Sequence, residues 1–458
     1  MKQLGILIGL LLIISCGSID RSASKVYIGG EIVNPTSEYL VLFKDDKVID
    51  SAQIDHNNRF KIKFNDLEEG LYHFYHEPEF NYIYLQKGDS INMRLNTLAF
   101  DESLVFSGKG AEVNNFLVEL LLQKEEEELQ MNSLYDLNPV AFDLEIKSLR
   151  DKKLQMLNNL EDEIKLSPKA LDIVKASIDY NVYVFKEKYP FFHKVNRRTH
   201  NHIQLPKDFY SYRKELKLNH KDLYFYSPYY SYMKYQLGNL AFLNCNDKCP
   251  QPIEKNQIVH FNKHKLIVVD SLNIDKRLKD NLFRNIAIQY YIKSRDSRDN
   301  IEDFHNAFSK YSAYNIHLNE IEDVYQNILN LQPKKEVPSI EIVSYQGIRT
   351  DLRQISQNKK VVLYFWSPSY ESTFYKIQER VKQLEKIYPE YTFIGISPHN
   401  NDYRWRSIVR SSRLNSDYQF YAPQLDIQNR LVIDNPFKSI IIQDGFIEDA
   451  FANLLTSF

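Results

Sequence analysis

The spacing of apolar residues changes its period twice along this chain, and that limits what it can fold into. Between residues 25 and 107 apolar side chains come in short alternating runs split by turn residues: Val26-Tyr27-Ile28, Tyr39-Leu40-Val41-Leu42-Phe43, Phe60-Lys61-Ile62-Lys63-Phe64, Tyr82-Ile83-Tyr84-Leu85 and Ile91-Asn92-Met93-Arg94-Leu95. A period of two puts neighbouring side chains on opposite faces of a strand. The stretch therefore predicts a small antiparallel β-sandwich, with Asn57-Asn58, Gly70 and Lys87-Gly88-Asp89 in its turns. After Gly108-Lys109-Gly110 the period becomes helical. Val113, Phe116, Leu117, Leu120 and Leu121 share one face, and Phe142, Ile146, Leu149, Leu157, Leu160 and Ile164 share another. Ser167-Pro168 offers an N-cap and a first-turn proline to the stripe Leu171, Val174, Ile178, Val182 and Phe185. From Lys334-Lys335-Glu336-Val337-Pro338 onward, strand and helix signals alternate, and the unbroken apolar run Val361 to Phe365 has the character of a strand buried on both faces. The expectation is a multidomain α+β chain: an antiparallel β-sandwich over 25–107, a helical module over 108–335 serving as spacer or scaffold, and an α/β domain over 336–458. A length of 458 residues suits about three cores at roughly 100–200 residues each.

The first residues are an address. Lys2 precedes an apolar run, Leu4 to Ile14, interrupted only by Gly5 and Gly9 and too short to span a bilayer. It ends in Leu12-Ile13-Ile14-Ser15-Cys16, which resembles a bacterial lipoprotein signal. That resemblance implies cleavage of residues 1–15, lipidation of Cys16, a flexible tether over 16–24, and a body held at a membrane of the cell envelope, facing the periplasm or the cell surface. No later run of about 18 apolar residues follows, so the expected body is anchored, not spanning.

Charge and motif content exclude several functions. Lys and Arg (58) nearly balance Asp and Glu (60), so no polycationic surface is available to neutralise nucleic-acid phosphates. Gly-x-x-x-x-Gly-Lys, Gly-x-Gly-x-x-Gly, Gly-x-Ser-x-Gly and His-Glu-x-x-His are all missing, which leaves nucleotide-cofactor, hydrolase and metalloprotease readings without a motif; no cofactor is expected. Glu125 to Glu128 form an exposed helix face.

Three segments of the last domain resemble the TlpA-like, thioredoxin-like disulfide reductases of bacterial envelopes. Val337-Pro338 with Tyr345-Gln346-Gly347 is similar to the family's lead-in strand and glycine turn. Lys359 to Trp366 is similar to its central strand, and Asn435-Pro436, then Ser439 to Ile442 and Asp444-Gly445, to its cis-proline loop and closing hairpin. Where the family carries Trp-Cys-x-x-Cys, this chain reads Phe365-Trp366-Ser367-Pro368-Ser369-Tyr370-Glu371-Ser372-Thr373. Aligned from Phe365-Trp366, the two cysteine positions fall on Tyr370 and Thr373. Disulfide exchange needs a thiolate and a resolving thiol. A phenol and an alcohol supply neither, and no register shift helps, because residues 336–458 contain no cysteine. The resemblance then implies a redox-inactive domain in which Trp366, Tyr370 and Pro436 line a groove for an extended peptide or envelope protein. The plainer alternative places Trp366 in the core and Tyr370 at a solvated cap.

Cys245 and Cys249 are the other thiols, in Asn244-Cys245-Asn246-Asp247-Lys248-Cys249-Pro250. An oxidising compartment favours a structural disulfide between them. With His260 and His264 the spacing also approaches a Cys2His2 zinc site, and a redox-active pair would make the chain a thiol-disulfide oxidoreductase by another route. The block Tyr224-Phe225-Tyr226-Ser227-Pro228-Tyr229-Tyr230-Ser231-Tyr232 reads as aromatic core before it reads as a stacking surface. His193, Arg197, Arg198, His200 and His202 read as a solvated basic loop.

Overall fold

The computed structural model describes residues 25–193, 204–244, 257–293, 295–368, 371–398, 402–412, 414–423 and 426–458. Cys16, Cys245, Cys249 and Tyr370 lie outside them, as do Arg197, Arg198, His200 and His202. Among the described residues no helix is long and apolar enough to cross a membrane. The chain divides into two compact units, one of residues up to 129 together with 153–175, the other of 130–152 together with 176–458.

In the first unit the five alternating runs fall in five of eight strands, β1 (Val26–Val33), β2 (Tyr39–Lys44), β3 (Lys47–Gln53), β4 (Arg59–Phe64), β5 (Gly70–His76), β6 (Glu79–Leu85), β7 (Ser90–Asn96) and β8 (Val105–Lys109), and Gly70 opens β5 instead of lying in a turn. They form two four-stranded sheets, ordered β4-β1-β7-β8 and β3-β2-β5-β6. One apolar cluster, with Ile28, Leu42, Phe60, Phe74, Ile91 and Leu95 among its members, is formed by side chains of both sheets. The sandwich is not wholly antiparallel: β1 and β7 run parallel, Ile28 opposite Ile91. The chain leaves the first sheet for β5 and β6 of the second and re-enters it at β7 running in the direction of β1. Strand β3, Lys-Val-Ile-Asp-Ser-Ala-Gln, is exposed along almost its whole length. An edge strand of that kind has no buried face to impose alternation, so the sequence pattern passes over it.

Three long helices follow, α1 (Ala111–Leu134), α2 (Pro139–Glu163) and α3 (Pro168–Phe192), each contributing residues to both units. Asn114 fastens the start of α1 to β6: its Oδ1 accepts from the Tyr84 amide at 2.6 Å and its Nδ2 donates to the Tyr84 carbonyl at 2.9 Å. The Ser167 hydroxyl accepts from the Ala170 amide at 3.0 Å and caps α3, with Pro168 in the first turn as its fixed φ allows. Val174, Ile178, Val182 and Phe185 are all fully buried along α3.

The second unit continues through α4 (Ser227–Asn244), α5 (Gln257–Ser271), α6 (Lys276–Lys293), α7 (Arg298–Tyr311) and α8 (Leu318–Asn330). Tyr229 and Tyr232 of the aromatic block are completely buried, Tyr229 edge-on to Tyr180 at 5.0 Å. Glu187 is also fully buried and satisfied on every side. It accepts from Arg213 Nε at 2.7 Å and Nη2 at 2.6 Å, from the Tyr212 hydroxyl at 2.8 Å and from Asn239 Nδ2 at 2.5 Å. His193 is not part of a solvated loop. It ends α3, is buried, and its Nδ1 donates to the Tyr135 carbonyl at 2.6 Å, since an imidazole beside buried tyrosine rings needs an acceptor.

The last quarter of the chain forms one sheet of seven strands, β9 (Glu341–Ser344), β10 (Arg349–Asp351), β11 (Lys360–Phe365), β12 (Tyr391–Ser397), β13 (Gln419–Tyr421), β14 (Lys438–Gln443) and β15 (Phe446–Asn453), in the order β10-β9-β13-β12-β11-β14-β15. Helix α9 (Glu371–Ile387) joins β11 to β12, and α10 (Asp402–Ser411) follows β12. The hairpin turn Asp444-Gly445 has φ of +53° and +84°, the left-handed pair that matches the twist of two-residue hairpins. The segment leading into this domain pairs with its last strand: the Lys334 amide donates to the Ile447 carbonyl and the Ile447 amide donates to the Lys335 carbonyl, so the segment covers part of the outer edge of β15.

Candidate functional site in the C-terminal domain

Central strand β11 fixes the geometry. It pairs parallel with β12, Tyr364 opposite Gly395, and antiparallel with β14, Tyr364 opposite Ser439, while β14 and β15 close as an antiparallel hairpin. A β-α-β unit of parallel strands with an antiparallel hairpin on its other side is the core of the thioredoxin fold. This domain is thioredoxin-like. Helix α9 begins just beyond the end of β11, and the turn before β14 lies on the same edge of the sheet because the β11–β14 pairing is antiparallel.

No family model matches the chain, and no curated protein does. Solved structures similar to it include the thioredoxin domain of a thiol-disulfide oxidoreductase from Bacteroides vulgatus, 18% identical over 26% of this chain and 87% of that one, TM-score 0.23. A thioredoxin-like protein from Bacteroides caccae is 15% identical over 51% of this chain and 83% of its own, TM-score 0.31. A secreted disulfide oxidoreductase from Mycobacterium tuberculosis is 21% identical over 25% and 83%, TM-score 0.21.

The sequence-predicted residues separate. Trp366 is 3% exposed and belongs to the core: its ring packs on Phe374 of α9 at 4.6 Å between centroids, and its Nε1 donates to Gln419 Oε1 at 3.1 Å. It lines no groove, because an indole offered both an apolar helix face and a buried acceptor is satisfied inside. Thr373 lies half-buried in the first turn of α9. Pro436 is exposed, and its peptide bond is trans, the one cis bond among the described residues being Glu77–Pro78. Local chemistry accounts for the difference from the expected cis loop. Asn435 Oδ1 accepts from the Phe437 amide at 3.0 Å and its carbonyl accepts from Lys438 at 3.2 Å, a tight turn in which a trans proline fits the second position.

Sequence reasoning passed over two residues here. Gln419 Nε2 donates to the Tyr364 hydroxyl at 2.8 Å, so Trp366, Gln419 and Tyr364 form one buried polar chain, and burial pushes the Tyr364 phenol far above its ordinary pKa. The available signal was Gly395, a glycine inside a strand, which marks a close approach. Lys438 is the other. It is 1% exposed, its ammonium has no hydrogen-bond partner, and it sits 4.1 Å from the centroid of Phe451. Burial lowers its pKa to about 8, opposed by Asp434 and Asp449 and assisted by Arg295. A lysine opening a strand looks solvated in sequence, so nothing there betrayed it.

Of the other candidates, His260 and His264 lie one turn apart on α5, their rings tilted to each other with centroids 4.5 Å apart. Among the described residues no group of three or more His, Cys, Asp or Glu side chains could hold a metal ion. Chemically, this end of the domain offers an alcohol, an exposed proline and backbone groups.

Proposed function

We propose that this protein is a lipid-anchored component of a bacterial envelope whose thioredoxin-like domain binds a peptide or protein segment without exchanging disulfides. The observation that carries the reading is the distribution of sulfur: the chain has three cysteines, at 16, 245 and 249, and none over residues 336–458, where the family this segment resembles carries a Cys-x-x-Cys pair. Thiol-disulfide exchange passes through a mixed disulfide, which Thr373 cannot form. The anchor rests on Leu12-Ile13-Ile14-Ser15-Cys16. With Trp366 buried, the surface left for a partner is the first turn of α9 around Thr373 and the turn at Pro436.

The test is made in intact cells of a lipoprotein-processing bacterium, with a photo-reactive residue at 373 in a chain that also carries Cys245→Ser and Cys249→Ser. The reading expects membrane sedimentation, a discrete cross-linked envelope protein, and loss of sedimentation on Cys16→Ala. Sedimentation independent of Cys16, or a cross-link that requires Cys245 and Cys249, contradicts it.

A further inference from the structure

The helical module carries an open pocket of about 240 Å³ between α4, α5 and α6, bordered by Ser227, Ser231, Lys234, Lys265, Asn285 and Gln289, with Leu237, Leu282 and Ile286 forming its apolar wall. The two lysines give it its character. Lys265 Nζ donates to Asn262 Oδ1 at 3.3 Å and lies 4.5 Å from the Phe261 ring centroid; Lys234 Nζ lies 5.1 Å from that of Tyr235. Neither is ion-paired with any carboxylate among the described residues. Lys234 stands exposed at the rim and Lys265 is half-buried, and each is set against further positive charge: partial desolvation, then Lys293 and Lys188, lowers the pKa of Lys234, and burial, then Lys234, lowers that of Lys265 to about 8. Ser227 and Ser231 belong to the first turns of the 18-residue α4, which places the positive end of a helix dipole at the same pocket.

The geometry points to a binding site for a small organic phosphate, its anionic group held between Lys234, Lys265 and the start of α4 and its carbon portion against Leu237, Leu282 and Ile286. Two uncompensated ammonium groups, a helix N-terminus and side-chain amides all favour negative charge, and none of them is used by the thioredoxin-like domain. The volume is below the roughly 300–1,000 Å³ of sites for drug-sized ligands, which suits a molecule of a few carbons and not a nucleotide. Lysines provide point charges without the planar fork of arginine, which fits a phosphate better than it fits a carboxylate recognised in pairs.

The experiment titrates the full-length lipidated protein, in detergent and at constant ionic strength, with inorganic phosphate and with glycerol 3-phosphate, glycerol being the neutral control. The expected result is saturable one-to-one binding of both anions, tighter for glycerol 3-phosphate, none for glycerol, and a loss of about tenfold or more in Lys265→Met and in Lys234→Met. Lys310→Met, on exposed α7 surface, should bind as the parent does. Circular dichroism melting controls for folding, and both cavity variants should melt no lower than the parent, because each removes a repelled charge. Absence of saturation by either anion, or lysine variants that bind like the parent, overturns the assignment.

Discussion

Gly395 and Gln419 are register partners across β12 and β13, and a methyl group on Gly395 would lie 2.3 Å from Gln419 Oε1 and 2.7 Å from Tyr364 Cζ. The glycine is what makes room for the buried polar chain. Both tryptophans of the protein, Trp366 and Trp405, are buried in this domain, so tryptophan fluorescence reports its unfolding separately from the rest. Gly395→Ala should shift the urea transition seen by fluorescence to lower concentration, at a cost of about 2 kcal/mol from forced overpacking. An unchanged midpoint would show that the polar chain yields freely.

Gln419 serves two partners at once, accepting from the Trp366 indole and donating to the Tyr364 hydroxyl. Gln419→Leu keeps the volume and strands both groups in the interior, which should cost about 3 kcal/mol by the same fluorescence transition. Trp366→Phe removes one bond of the two and should cost less. An equal or larger loss in Trp366→Phe would mean that indole packing on Phe374, not hydrogen bonding, dominates the site.

Lys438 contributes a cost that depends on pH. Its folded pKa, about 8, is below the ordinary 10.5, so between those values the unfolded chain holds a proton that the folded chain has released. Stability therefore rises with pH across that window, and the penalty is fully present below about pH 8. Lys438→Met should stabilise the domain by about 2 kcal/mol at pH 7, an advantage that shrinks as pH approaches 10.5. Urea titrations at pH 7 and pH 10 measure this. A variant less stable than the parent at pH 7 would show that attraction from Asp434 and Asp449 outweighs burial.

Periodicity carried the architecture and failed where a strand had almost no buried face. The runs at Val26, Tyr39, Phe60, Tyr82 and Ile91 are strands because each has a face in the sandwich core, whereas β3 left no mark, being exposed along its length. Parallel pairing of β1 with β7 is a property of chain routing that no local pattern encodes. In the C-terminal domain the run Val361 to Phe365 and the Asp444-Gly445 turn announced the central strand and hairpin. The site was less legible. Motif alignment put Trp366 and Pro436 in a groove, but the destination of the indole was decided by Gln419, 53 positions later, and the proline isomer by the Asn435 side chain beside it. Lys438 depends on burial of a single charged residue, which sequence reads as solvent exposure, and the Lys234–Lys265 pocket depends on the packing of three helices that no local pattern encodes.

The claim on which the functional account turns is that electrons do not pass through this domain. Reduction of insulin disulfides by the purified full-length protein, with dithiothreitol as electron source, measures it. The account predicts turnover no faster than dithiothreitol alone, unchanged by Cys245→Ser or Cys249→Ser. Turnover above that background that disappears in Cys249→Ser would contradict it, because the chain would then be reducing disulfides with thiols held outside its thioredoxin-like domain.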